Sequence, residues 1–188
     1  MICLVRHGQT DWNYLGKIQG MTDVPLNDVG RRQAEECREY VNSQDWDFII
    51  SSPLKRAKET AEIINKDLNL QIIEMEEFKE RSFGIAEGLT LEERTIQFPE
   101  GDYPGQESKQ DLVERVMSGI DTINRSYPGK KVLLVAHGAV IGTLLSTISN
   151  GQIGSGRTKL MNACISNIQH VDDQWKIHNY NQIDHLTM

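Results

Sequence analysis

Leu4-Val5-Arg6-His7-Gly8-Gln9 (LVRHGQ, 4–9) and Leu134-Val135-Ala136-His137-Gly138-Ala139 (LVAHGA, 134–139) share the pattern Leu-Val-x-His-Gly near opposite ends of the chain. Each copy closes an apolar, β-branched run with a histidine and a glycine. Buried strands followed by helical periodicity are the unit of an open α/β sheet covered on both faces. Such sheets bind ligands beyond the carboxyl ends of their strands, where helices begin. Two neighbouring strands are therefore expected to carry His7 and His137 to one site. Taken singly, a histidine at a strand end is more often just a hydrogen-bonded residue; the repetition argues otherwise. The glycine after each is expected to let the backbone turn and approach a ligand closely. The helix after the second copy should offer unpaired N–H groups to an anion.

The stretches between the two copies fit that scheme. Residues 2–6 read as a strand, and Gly30, Ala34, Cys37 and Val41 recur at helical spacing over 27–43, with Asn27 or Asp28 as cap. FIIS (48–51) reads as a second strand, and Pro53 begins a helix whose inner stripe is Ala57, Ala61 and Ile64. Leu70–Met75 suggests a third strand, and the glycine- and proline-rich 84–106 a long irregular excursion. A helix at 107–125 presents Val113, Val116, Met117, Ile120 and Ile123 on one face. A strand (131–136) and an apolar helix (139–148) follow, and then a hairpin of strands 163–171 and 175–180 joined by Asp172-Asp173-Gln174.

Composition narrows the class. A chain of 188 residues, 38% hydrophobic and 25% charged, is expected to fold as one globular domain, 1–188. A net charge of -7 argues against nucleic-acid or anionic-membrane partners, which need basic patches, but leaves room for an anionic small molecule in a local arginine pocket. No run is long enough to span a membrane, and residues 1–15 do not resemble a secretory leader, so a cytoplasmic location is expected. Three separated cysteines without a CxxC suggest buried free thiols rather than disulfides or zinc.

Further polar residues fall at the predicted strand ends. Arg6 precedes His7, and Arg56 in SSPLKRAKETA (51–61) sits in the first turn of a helix, where a cation opposes the dipole and calls for an anion. Glu80 in KERSFGIAEG (79–88) follows the third strand. Two histidines, two arginines and a carboxylate suit phosphoryl transfer. A neutral imidazole attacks phosphorus, Arg6, Arg56 and a protonated His137 hold the oxygens, and Glu80 protonates the leaving group. No metal and no cofactor is needed, because arginines carry the charge.

RHGQTDWN (6–13), the arginine of SSPLKRAKETA, ERSFGIAEG (80–88) and AHG (136–138), with PGQES (104–108) and NACIS (162–166), resemble the motifs of the histidine phosphatase superfamily, in its phosphoglycerate-mutase-like branch. The motifs match in order across nearly the whole chain. The resemblance implies a three-layer α/β/α sandwich with a mostly parallel mixed sheet. It implies that His7 is the phosphorylated nucleophile, Glu80 the acid/base and His137 the second histidine of the phosphate pocket. Arg6, Asn13 and Arg56 match phosphate-binding positions, and Gln19-Gly20 a stretch lining the substrate side. Two departures touch the leaving-group side: Ala86 stands where tryptophan is common and Gln106 where glycine is usual.

A phosphomonoesterase acting on small phosphorylated metabolites fits best. The true mutases of the family carry a longer, more basic segment between the third and fourth motifs, whereas 89–112 here holds only Arg94 and Lys109 as cations. A mutase must keep its phosphoryl group from water under a closing lid. Cofactor-dependent phosphoglycerate mutase remains the alternative, beside a catalytically silent phosphate-binding protein and a protein-phosphotyrosine phosphatase. A metallohydrolase lacks any HxH or HExxH spacing. The physiological substrate and oligomeric state are not legible.

Overall fold

A computed structural model describes residues 1–187. Among these the elements run β1 (Ile2–Arg6), α1 (Asp11–Tyr14), α2 (Asp28–Val41), β2 (Phe48–Ser51), α3 (Lys55–Ile64), β3 (Ile72–Glu74), α4 (Leu91–Gln97), α5 (Lys109–Ser126), β4 (Val132–Ala136), α6 (Gly138–Ile148), β5 (Ile165–Val171) and β6 (Gln174–Gln182). The strands form one sheet in the order β3-β2-β4-β1-β5-β6. β3, β2, β4 and β1 pair in parallel, and β5 and β6 close the sheet antiparallel. This is the expected mixed, mostly parallel sheet.

Alternation along the central strands builds two cores. Ile2, Leu4, Ile50, Val132 and Leu134 face one side, against Val116, Ile120 and Ile123 of α5 and Ile141 and Leu144 of α6. Cys3, Val5, Ile49, Leu133 and Val135 face the other, against Cys37 and Val41 of α2 and Ala57, Ala61 and Ile64 of α3. Strands covered on both faces must be apolar at nearly every position, which is why LVR and LVA lack polar alternation. The three layers follow. The cysteines are free and buried; burial pushes the Cys3 thiol up to about 12 and that of Cys164 to about 11, so neither is reactive.

Element bounds shift by a residue or two in several places, and some differences have a physical reason. Residues 84–106 are not wholly irregular, because α4 forms there on a capping box in which Thr90 and Glu93 satisfy each other's backbone N–H. No residue of α4 is buried, so it lacks the apolar stripe that reveals a helix. β5 starts at Ile165 rather than 163, because Ala163 is left-handed (φ 57°) and turns the chain. The hairpin turn is shorter, Asp172 and Asp173 both left-handed, and Gln174 already pairs with Val171. On α5 the buried positions include Leu112 and Gly119, while Val113 and Met117 are half-buried.

Gly119 has a specific task. A Cβ there would lie 2.8 Å from Cζ of buried Phe78, so its absence seats Phe78 two residues before Glu80. Arg115 of α5 holds Glu107 in a two-bond ion pair (2.7 and 2.8 Å) and donates to the carbonyls of Glu77 and Lys79. Helix α5 thereby fixes the segment that presents Glu80. Among the described residues no helix is long and apolar enough to cross a membrane.

Candidate active site

The parallel pairing of β1 with β4 sets Arg6 opposite Ala136, and the His7 N–H extends the ladder to the Ala136 carbonyl at 3.0 Å. Both chains leave the sheet at the same level, so the two imidazoles meet. Their ring centroids are 5.2 Å apart at 55°, and both rings are buried. β2 ends beside them, where the Ser52 N–H donates to Val135 O at 3.0 Å. The pairing inferred from the repeated motif is thus present.

The Nδ1 of His7 lies 2.7 Å from the Gly8 carbonyl oxygen. A carbonyl only accepts, so Nδ1 carries the proton and Nε2 keeps its lone pair. Burial, then the charges of Arg56 and Arg6, push the pKa of His7 well below its usual value against the opposing bond to Gly8. His137 is pushed down in the same way, by burial and then by Arg56, His7 and Arg6. Both causes work against the protonated His137 of the sequence reading, since two arginines already bring positive charge beside it. His137 Nε2 is 2.7 Å from Ser52 Oγ, which also accepts the Leu54 N–H at 3.3 Å, and its Nδ1 is buried without a partner.

Arg56 is fully buried at the start of α3. Its Nη1 and Nη2 donate to the carbonyls of Thr22 (2.9 Å) and Gly20 (2.7 Å), and its Nε has no partner. Arg6 donates from Nη1 to Leu160 O, and its Nε is also buried and unpartnered. A buried unmade hydrogen bond costs about 1–3 kcal/mol, more beside a charge. Arg6 Nε and Arg56 Nε are two such donors, and His137 Nδ1, which donates when Ser52 gives its hydroxyl proton to Nε2, is a third unpartnered atom beside them, a deficit that an oxyanion would satisfy.

Glu80 is buried, and its carboxylate accepts the Arg81 N–H (2.9 Å) and the Ala139 N–H (3.1 Å) of the first turn of α6. One N–H that the sequence reading left open for an anion is thus taken by the carboxylate. Asn13 lies in α1, its Oδ1 accepting from Thr10 N and Asn162 Nδ2, each at 3.1 Å. Gln19 is buried and accepts from Thr10 Oγ1 at 2.8 Å. Gly20 is left-handed (φ 55°), and a Cβ there would come within 2.1 Å of Glu87 Oε1.

Gly8 answers to a contact within the protein that the motif does not reveal. A Cβ on Gly8 would come within 2.3 Å of Gly30 O, and one on Gly30 within 2.1 Å of Gln9 O. Gly8 is thus required by the close approach of α2 to the turn after His7. A Cβ on Gly138 would meet nothing nearer than Arg6 Nε, at 3.5 Å.

Four supporting residues were missed. Ser52 orients His137; Thr60 accepts the Gly8 N–H and donates to Arg56 O; Asn162 bridges His7, Gly8 and Asn13. Glu87 accepts the N–H groups of Met21, Thr22 and Phe83, fastening the loop whose carbonyls hold Arg56. Ser52, Thr60, Glu87 and Asn162 all lie inside motifs already quoted, but only proximity in space assigns them work.

A model of the histidine phosphatase superfamily (branch 1) matches residues 2–183. The chain belongs to that superfamily. It is 54% identical over 186 residues to an uncharacterised phosphatase, PhoE, of Bacillus subtilis, covering 99% of this chain and 96% of that one. It is 34% identical over 200 residues to a metal-independent phosphoserine phosphatase of Arabidopsis thaliana, covering 99% and 83%. A probable phosphoglycerate mutase, GpmB, of Salmonella choleraesuis is 36% identical over 186 residues, covering 93% and 86%. Among solved structures, a phosphoserine phosphatase mutant of Entamoeba histolytica in complex with phosphoserine superposes with a TM-score of 0.88 at 29% identity, covering 99% and 98%. This histidine phosphatase is an enzyme of the phosphatase type, and the mutase alternative is no better supported.

The buried neutral histidines fix a sign for stability. Unfolded, His7 and His137 titrate near 6.5; folded, both lie well below it. Between those values the unfolded chain binds more protons. Their contribution is therefore complete above about pH 6.5 and is lost as pH falls, at up to about 1.4 kcal/mol per pH unit for each ring. Urea unfolding at pH 7 and pH 5 is expected to show that loss, and His137→Asn to reduce it. An unchanged pH slope in the variant would contradict a neutral His137.

Proposed function

We propose that this histidine phosphatase hydrolyses small phosphomonoesters by way of a phosphohistidine on His7. The observation that carries the reading is the His7 Nδ1 bond to Gly8 O, which leaves an unprotonated Nε2 in a buried pocket beside two arginines. Nε2 attacks phosphorus as the ester P–O bond breaks, and Glu80 gives its proton to the departing oxygen. Water then attacks the phosphohistidine, Glu80 takes a proton from it, and the P–N electron pair returns to Nε2. Arg6, Arg56 and Asn13, with His137 through Nδ1–H, hold the phosphoryl oxygens as charge builds on them. Ser52 sustains that donor by giving its hydroxyl proton to His137 Nε2. Gln19 and Gly20 bound the pocket on the α1 side.

The leaving group departs past Glu80, so it occupies the space that begins at Ala139. A crevice of about 180 Å³ opens there between α5 and α6, lined by Arg81, Lys109, Leu112, Ala139, Thr143 and Ser155. Its narrow, largely apolar wall, with the cations of Arg81 and Lys109 and the hydroxyls of Thr143 and Ser155, suits a small leaving group rather than a folded protein. Residues 1–188 then act as a single domain, on dissolved substrates in the cytoplasm. Hydrolysis is favoured over mutase action because Arg94 and Lys109 are the only cations of 89–112, and Arg94 is bonded to the Tyr103 hydroxyl.

The test is phosphate release from a panel of phosphomonoesters with chelator present and no added metal. Full activity in chelator supports the reading. Activity that appears only with a divalent metal would end it, and interconversion of 2- and 3-phosphoglycerate without net phosphate release would give the mutase alternative.

A further inference from the structure

We propose that Asn162 is a positioning residue that holds the turn of the nucleophile and the phosphoryl-binding asparagine in fixed register. The inference rests on the roles given above to His7 and Asn13. The segment 160–164 lies along residues 6–8. Leu160 O takes a guanidinium hydrogen of Arg6, Cys164 O takes the Arg6 N–H at 3.1 Å, and the Ala163 N–H donates to His7 O at 3.2 Å. Ala163, left-handed and buried, makes the turn from which Asn162 reaches back over that stretch.

One amide group then serves two parts of the site. Asn162 Nδ2 is 3.2 Å from His7 O, 3.4 Å from Gly8 O and 3.1 Å from Asn13 Oδ1. The two main-chain oxygens only accept, so the end of the amide facing them is the NH2. The same NH2 requires an oxygen on Asn13, as does the Thr10 N–H at 3.1 Å. The Thr10 hydroxyl sits nearer to Gln19 Oε1 (2.8 Å) than to Asn13 Oδ1 (3.2 Å), so its hydrogen goes to Gln19. Both lone pairs of Asn13 Oδ1 are thereby engaged. The NH2 of Asn13 is turned away from these donors and has no protein acceptor among the described residues, ready for a phosphoryl oxygen. Asn162 also meets the very carbonyl, Gly8 O, that fixes the tautomer of His7. Its removal loosens both the nucleophile and the oxyanion donor without touching substrate.

The experiment compares Asn162→Ala, Asn162→Asp, Asn13→Ala, the Asn13→Ala/Asn162→Ala double variant and His7→Ala on 4-nitrophenyl phosphate, with orthovanadate as inhibitor. Asn162→Ala is expected to lose about tenfold in kcat and about as much in vanadate affinity, by misplacement rather than by lost contact. The double variant is expected to be no more than about threefold worse than Asn13→Ala, because the two residues act as a unit. Asn162→Asp points oxygen at three oxygens, and only its protonated form can donate. Its activity relative to wild type is therefore expected to rise as pH falls from 7 to 5, a change that a merely structural loss would not produce. Wild-type kcat and vanadate inhibition in both Asn162 variants, beside a dead His7→Ala, would overturn the inference alone. So would losses that multiply in the double variant. Undiminished turnover in His7→Ala would instead remove the reading of the site on which it rests.

Discussion

Replacement of His7 by alanine is expected to abolish phosphate release, with a loss on the order of 10⁴-fold or more for every ester the enzyme accepts. The size follows from the uniqueness of the group. His137 is the other imidazole at the site, but its Nε2 is committed to Ser52. Ser52 and Thr60 are occupied as acceptors from backbone N–H groups. No second nucleophile stands ready, and arginines alone stabilise charge without forming the bond. The variant should remain folded, because the side chain of His7 bonds only to the adjacent Gly8 carbonyl. Quenching turnover in alkaline denaturant should trap a phosphoryl group on the wild type as a base-stable adduct that is lost on acidification, and none on the variant. A variant that keeps more than about one hundredth of the activity would rule out covalent catalysis at His7.

That expectation was largely legible before any coordinates, because the residues concerned are tied to strand ends. Parallel strands with short strand-to-helix turns bring equivalent positions together, so His7 and His137 were predictable as neighbours from one repeated pentapeptide. Arg56 was legible for a different reason: a cation in the first turn of a helix needs compensation. The structure supplies part of it through the carbonyls of Gly20 and Thr22. What was not legible depends on distance in space rather than on position in the chain. Helix α4 lacks a buried stripe, and Gly8 is dictated by Gly30, a partner 22 residues away. The work of Asn162 exists only because β5 returns antiparallel beside β1. The downward push on the His137 pKa comes from burial and two arginines acting together, and neither is visible in a motif.

Glu80→Gln is expected to separate substrates by their leaving groups. Glutamine keeps the shape but has no proton to give and one fewer acceptor, so it can satisfy only one of the Arg81 and Ala139 N–H groups through oxygen. An alkoxide leaving group needs protonation as the P–O bond breaks, and losing a placed general acid costs about 10²–10⁴-fold. A 4-nitrophenolate leaves without that help, so its release in the first turnover is expected to fall by less than about tenfold. The second half of the reaction still needs a base for water. With the aryl ester, the variant should therefore show a burst of one nitrophenolate per site followed by slow turnover, and the phosphohistidine should accumulate. An alkyl phosphate should show no burst, because its first step is then the slow one. The two substrates thus read the same carboxylate as an acid and as a base in separate phases. Equal losses on both in the first turnover would remove Glu80 as the acid. A burst absent from the aryl ester, with first-turnover release unimpaired, would remove it as the base.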